Sequence, residues 1–203
     1  MAKKPRRSAA GYQRRRVDTR AIRQRFLIVC EGEKTEPLYF DAFRAPTVAV
    51  KVLGGERDPH RLVEKVIAYR ERFSDDFDQV WCVFDRDEVP AQRFNEALKL
   101  ARRQGFRVAY SNPAFELWLL LHFEACSGAL SRRDYGNRLG DYLERTYQKN
   151  DERLMTVLAP REGTAIDRAE RLLAGYVPCR PADDDPSTTV HLLVKELRRF
   201  AAP

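Results

Sequence analysis

Four short runs of almost unbroken apolar residues recur along the first half of this chain: "FLIVC" (26–30), "TVAVKVL" (47–53), "QVWCVF" (79–84) and "FRVAY" (106–110). A strand with one wet face alternates apolar with polar residues, whereas continuous apolar runs belong to strands covered on both sides, as in parallel sheets packed between helices. The stretches between the runs carry helical periodicity. "EPLYFDAFR" follows Thr35 as a candidate cap, with Glu36 and Pro37 in its first turn. Residues 58–73 repeat Leu62, Val66 and Tyr69 on one stripe, and "AQRFNEALKLARR" repeats Phe94, Leu98 and Ala101 before Gly105 stops it. Strand, helix and strand in short succession predict an α/β, Rossmann-like domain whose mostly parallel sheet is flanked by helices.

After Tyr110 the strand pattern fades. "NPAFELWLLLHFE" predicts a buried helix with Asn112 as cap and Pro113 at its first position, and residues 131–148, 164–173 and 187–200 predict further helices. The expected organisation is a basic arm over 1–20, an α/β domain over 21–126, and a helical C-terminal extension over 127–203 packed on it. The 203 residues, 43% of them hydrophobic, suffice for one sizeable core. No apolar run approaches the roughly 18 residues of a membrane span, and "MAKKPRRSAAGYQRRR" lacks the apolar centre of a signal peptide. The expectation is a soluble, cytoplasmic protein with no membrane contact. Cys30, Cys82, Cys126 and Cys179 are scattered without a C-x-x-C pair and read as reduced thiols rather than zinc ligands.

The formal net charge of +7 is unevenly placed. Arg14, Arg15, Arg16 and Arg20 belong to a cationic block in which Asp18 is the only acid. Such a block repels itself, and its two readings are a clamp on nucleic-acid phosphates and a solubilising tail.

The loop after the first run, "CEGEKTEP", ends a Gly-Glu-Lys-Thr stretch that superficially suggests a phosphate-binding loop. A true P-loop curls a run of backbone N–H groups around phosphates, which needs small residues where Val29, Cys30 and Glu31 stand. Three carboxylates, Glu31, Glu33 and Glu36, would also repel a triphosphate unless a cation lay between them. The third run ends in Asp85-Arg86-Asp87-Glu88. In extended backbone Asp85 and Asp87 would project to one side. The C-terminal ends of parallel strands share one edge, so Glu31 can face both aspartates there. Three carboxylates make an oxygen site suited to Mg²⁺ or Mn²⁺, completed by water and phosphate oxygens. The competing reading of the two aspartates is a strand-to-helix turn with Asp as cap. Lys34 is placed either to neutralise a phosphate or to lie in a solvated loop, together with Glu33 and Glu36. Glu116, early in a helix after the fourth run, either complements the helix dipole or acts at the metal and in catalysis. His122 reads as a packed core residue, with a catalytic base as the alternative.

A Glu-Gly after one buried strand and Asp-x-Asp after another resemble the TOPRIM domain of topoisomerases, primases and OLD-type nucleases. That resemblance implies metal binding or acid/base duty for Glu31 and Mg²⁺ binding for Asp85 and Asp87. The third acidic position of some members falls on Val89, which argues against a second firmly held metal. A broader resemblance rests on "FLIVCEGEKTEPLYFDAF", "WCVFDRDE", "AYSNPAFELWLLLHFE" and "PSTTVHLLVKEL", which together look like the RloB-like family encoded beside bacterial restriction loci. It implies a TOPRIM-like fold and a role in anti-phage defence alongside an AAA-type ATPase. The resulting expectation is a Mg²⁺-dependent nuclease acting on DNA or RNA. The alternative is a catalytically silent module that binds nucleic acid or a nucleotide.

Overall fold

The computed structural model describes residues 24–43, 48–73 and 77–201. In chain order these form β1 (Gln24–Cys30), α1 (Thr35–Asp41), β2 (Val48–Leu53), α2 (Pro59–Arg72), β3 (Gln79–Asp85), α3 (Ala91–Arg103) and β4 (Arg107–Asn112). There follow α4 (Glu116–Leu120), α5 (Arg132–Leu143), α6 (Leu154–Leu158), a 3₁₀ turn (Ala159–Arg161), α7 (Glu162–Ala174), β5 (Ser187–Thr188) and α8 (Val190–Ala201). The sheet order is β2-β1-β3-β4-β5, with the first four strands parallel and β5 antiparallel to β4.

Because side chains alternate across a pleated strand, each apolar run feeds two cores. Phe26, Ile28 and Cys30 of β1, with Trp81 and Val83 of β3, pack toward α1, α4, α5, α7 and α8. Leu27 and Val29, with Val80, Cys82 and Phe84, pack toward α2 and α3 through Leu62, Val63, Val66, Phe94 and Ala97. The result is a three-layer α/β/α arrangement. The chain steps from β1 outward to β2, then crosses to β3 on the far side of β1. That reversal opens a crevice at the C-terminal ends of β1 and β3, the place where sheets of this kind hold ligands.

Local signals explain the boundaries that match the sequence pattern. Asp58 caps α2 by accepting from the Arg61 amide, and Pro59 takes the first helical position, where its missing N–H costs nothing. Gly105, at φ +71°, leaves α3 through a backbone conformation that glycine adopts freely. Ser131 and Asp134 form a reciprocal capping box at the start of α5.

Several expectations are corrected. Thr35 does not cap α1; its hydroxyl donates to the carbonyl of Lys149 at 2.9 Å, tying the start of α1 to the loop after α5. Asn112 is the last residue of β4 rather than a helix cap, and its amide donates to the carbonyls of Pro181 and Asp184. The helix that follows is a short one, Glu116–Leu120. α5 ends at Leu143, and Glu144 turns the chain at φ +54°. Residues 187 and 188 form a strand before the last helix begins at Val190. The segment after residue 127 thus adds a strand to the sheet, and α8 covers one of its faces through Val190, Leu193, Val194 and Leu197. All four cysteines are free; Cys30, Cys82 and Cys126 are buried and Cys179 is exposed. Among the described residues no helix is long and apolar enough to cross a membrane.

Candidate functional site

Glu31 follows β1 directly and fastens it to β3. Its backbone N–H donates to the Val83 carbonyl at 2.8 Å, and its Oε2 accepts from the Asp85 amide at 3.0 Å. Asp85, the last residue of β3, is only 6% exposed. Asp87 lies beyond the strand in a turn at φ +33°, where its amide donates to the Pro113 carbonyl at 2.9 Å. The two-residue strand period therefore does not explain how the two aspartates face one point. They are aligned by Arg132 at the first turn of α5, whose Nη2 donates to Asp85 Oδ2 at 3.1 Å while Nη1 stands 3.2 Å from Asp87 Oδ2.

Two further carboxylates close the group. Glu36 is buried in the first turn of α1, lying so close over Gly32 that a Cβ there would fall 2.1 Å from Glu36 Oε2. Glycine at 32 is thus what lets this carboxylate lie against the loop. Glu116, 4% exposed at the start of α4, has Lys149 Nζ 3.6 Å from its Oε1. An aromatic nest supports both: Tyr39 meets Phe40 at 5.2 Å, Phe115 at 5.6 Å and Trp118 at 6.3 Å between ring centroids. The nest sits one turn along α1 from Glu36 and flanks Glu116 on either side in sequence, so the core sets where these acids stand.

Packing like charges away from water disfavours their ionised forms. Burial, reinforced by Glu36, Glu31 and Glu116, pushes the Asp85 carboxyl well up, with Arg132 opposing. Burial also raises Glu31 to about 7, offset in part by the Asp85 N–H and reinforced by Glu36. Glu36 is raised by burial, against its own backbone N–H, with Glu116 adding to the rise. Between about pH 4.5 and pH 7 the folded chain therefore keeps a proton on Glu31 that the unfolded chain releases. The contribution of Glu31 to stability is accordingly greatest at the acidic end of that window and declines as pH rises through it, while His122 and His191, both depressed to about 4 by burial, contribute in the opposite sense. In the presence of chelator we expect Glu31 to account for a loss on the order of 2 kcal/mol across the window. Melting temperatures at pH 5 and 7.5 check this: measured against Glu31→Gln, wild type should lose stability between the two values, and an identical slope in wild type and variant would refute the assignment.

Glu31, Lys34, Asp85, Asp87 and Glu116 all line one cleft of about 590 Å³, together with Glu36, Arg57, Arg132 and Lys149. Lys34 is exposed at its rim. Arg14, Arg15, Arg16 and Arg20 lie outside the described residues. His122 is not at the cleft. It is 2% exposed, with Nδ1 3.0 Å from the Trp118 carbonyl, and burial depresses it to about 4. Of the two readings the sequence left open for Glu36, a site-lining acid and a solvated loop residue, the structure shows the first, whereas Arg132 and Lys149 were not singled out by the sequence at all. Both cations come from the segment after residue 127 and carry no local motif.

Among the described residues no three His, Cys, Asp or Glu side chains converge as they stand on a single ion. The donor set nevertheless suits a hard divalent cation, since it is made only of carboxylates and its aspartate pair already faces a shared positive group. A family model described as RloB-like protein matches residues 26–197. No curated protein and no solved structure matches the chain.

Proposed function

The chain belongs to the RloB-like family, and from that premise and the acidic cleft we propose a Mg²⁺-dependent nuclease that hydrolyses phosphodiester bonds of DNA or RNA. The observation that carries the reading is the convergence of acids from β1, α1, β3 and α4 at the strand-order reversal, ringed by Lys34, Arg57, Arg132 and Lys149. A buried anionic cluster is unfavourable alone, and cations around its rim suit an anionic polymer laid across it. Asp85, Asp87 and Glu31 would hold Mg²⁺ or Mn²⁺. A bound ion of this class supplies Lewis acidity toward a phosphoryl oxygen and makes a coordinated water more acidic.

The chain's own groups have distinct tasks in this scheme. Glu31, or a neighbouring carboxylate of the cleft, would manage the proton transfers. Lys34, exposed at the rim, pairs with phosphate as a point charge, while Glu116, held by Lys149, orders the deep wall beside Glu36. Arg14, Arg15, Arg16 and Arg20 extend the proposed contact with nucleic-acid phosphates. The likeness to TOPRIM motifs and membership of the RloB-like family support a role in anti-phage defence in the bacterial cytoplasm, alongside an AAA-type ATPase subunit, as part of this proposal.

The test is cleavage of supercoiled plasmid and total RNA with Mg²⁺, Mn²⁺ or chelator, with and without the ATPase subunit. Metal-dependent cleavage by wild type should fall by roughly a hundredfold or more in Glu31→Gln and Asp85→Asn. No cleavage by the wild-type complex would sink the nuclease reading. It would favour a silent module that binds nucleic acid or a nucleotide, a reading supported by the Arg132 guanidinium lying between Asp85 and Asp87.

A further inference from the structure

Arg132 places one guanidinium nitrogen on each aspartate, with contacts of 3.1 Å to Asp85 and 3.2 Å to Asp87. The two carboxylates are held by rigid backbone. Asp85 closes β3, and the turn beyond it is pinned by Arg86 N to the Ser111 carbonyl and Asp87 N to the Pro113 carbonyl. The Arg86 side chain adds bonds to the carbonyls of Ala182 and Asp87. Arg132 differs in kind. Its backbone is set by the capping box of Ser131 and Asp134, while its side chain stands on a flexible stem and is 42% exposed. One positive charge therefore faces two fixed aspartates, with Glu31 close enough to bear on both.

We propose that Arg132 is a resident counter-ion that occupies Asp85 and Asp87 in place of a divalent cation and is exchanged for it, a reading that rests on the metal-dependent function above. A single charge balances the aspartate pair incompletely, and a divalent ion completes the balance without moving the strand end or the turn. The exchange makes Arg132 a competitor of the ion rather than a support for it. It keeps the site assembled without metal, and it makes the ion compete for its ligands.

The experiment is calorimetric titration of the full chain with Mn²⁺ alone, comparing wild type, Arg132→Lys and Arg132→Gln, with circular dichroism to confirm folding. Lysine keeps the charge but cannot bridge two carboxylates with a planar fork. Both variants are expected to bind Mn²⁺ several-fold more tightly, up to about tenfold, because each half-exposed ion pair is worth only a modest factor. If Gln tightens binding and Lys matches wild type, Arg132 acts only through its field and the exchange is wrong. Weaker binding in Gln would likewise overturn it, since the guanidinium would then support the ligands rather than compete for them. Binding by wild type with no change in either variant overturns the exchange and leaves the metal reading standing, whereas no Mn²⁺ binding by any of the three overturns both. Should Arg132→Gln fail to fold, the Lys variant still decides the question.

Discussion

Asp85→Asn is expected to give a chain that melts higher than wild type at pH 8 in chelator and that has lost metal-dependent cleavage. Burial, then Glu36, Glu31 and Glu116, push the Asp85 carboxyl well above its unfolded value. At pH 8 the unfolded carboxyl is fully ionised, so folding must either bury that charge among like charges or take up a proton from a solution that holds few. Both routes cost free energy, and asparagine removes them. The variant also loses the charge pairing with Arg132, but that side chain is 42% exposed and solvent screens the contact. The net gain should be on the order of 1–3 kcal/mol, or roughly 3–8 °C in melting temperature for a chain of this size. Adding Mg²⁺ should narrow the gap, because an ion that binds the native state stabilises wild type selectively. Calorimetry at pH 8 with and without the ion checks both statements. A variant that melts lower than wild type in chelator would mean that Asp85 contributes to structure rather than holding strain for function.

The same residues show what could be read in the sequence and what could not. β1, β3 and β4 announced themselves because strands covered on both faces are built mainly of consecutive apolar residues, and their shared C-terminal edge placed Glu31 opposite Asp85. β5 was invisible: Ser187 and Thr188 have no apolar pattern, and the strand exists because Ser111 and Asn112 of β4 offer an antiparallel partner. Thr35 had every local mark of a helix cap, yet a long-range bond to the Lys149 carbonyl took its hydroxyl. The run "NPAFELWLLLHFE" looked like one long helix because periodicity cannot tell a helix from an apolar segment that packs through tight turns. Only residues 116–120 are α-helical. Arg132 and Lys149 were the least legible of all. Charged residues of a solvated helix and loop gain meaning only when the fold brings them to acids more than thirty positions away.

Trp118→Ala carries the largest expected loss of stability and tests the link between core and site. The indole is fully buried, meets His122 at 4.9 Å and Tyr39 at 6.3 Å between ring centroids, and sits two residues beyond Glu116. Removing it deletes the apolar transfer energy of a large ring and leaves a cavity that Tyr39, Phe40 and Phe115 can fill only by moving. Core truncations of this size cost about 3–5 kcal/mol, a large share of the roughly 5–15 kcal/mol that holds a domain folded. Denaturant midpoints should therefore drop sharply, and Trp118→Phe should recover much of the loss. The functional consequence follows from position: α1 and α4 lean on this nest, and they carry Glu36 and Glu116. Mn²⁺ titration at a temperature where Trp118→Ala is still folded should then show weakened or heterogeneous binding, although no metal-facing residue has changed. A folded variant that binds Mn²⁺ as wild type does would show that β1 and β3 alone set the geometry of the site.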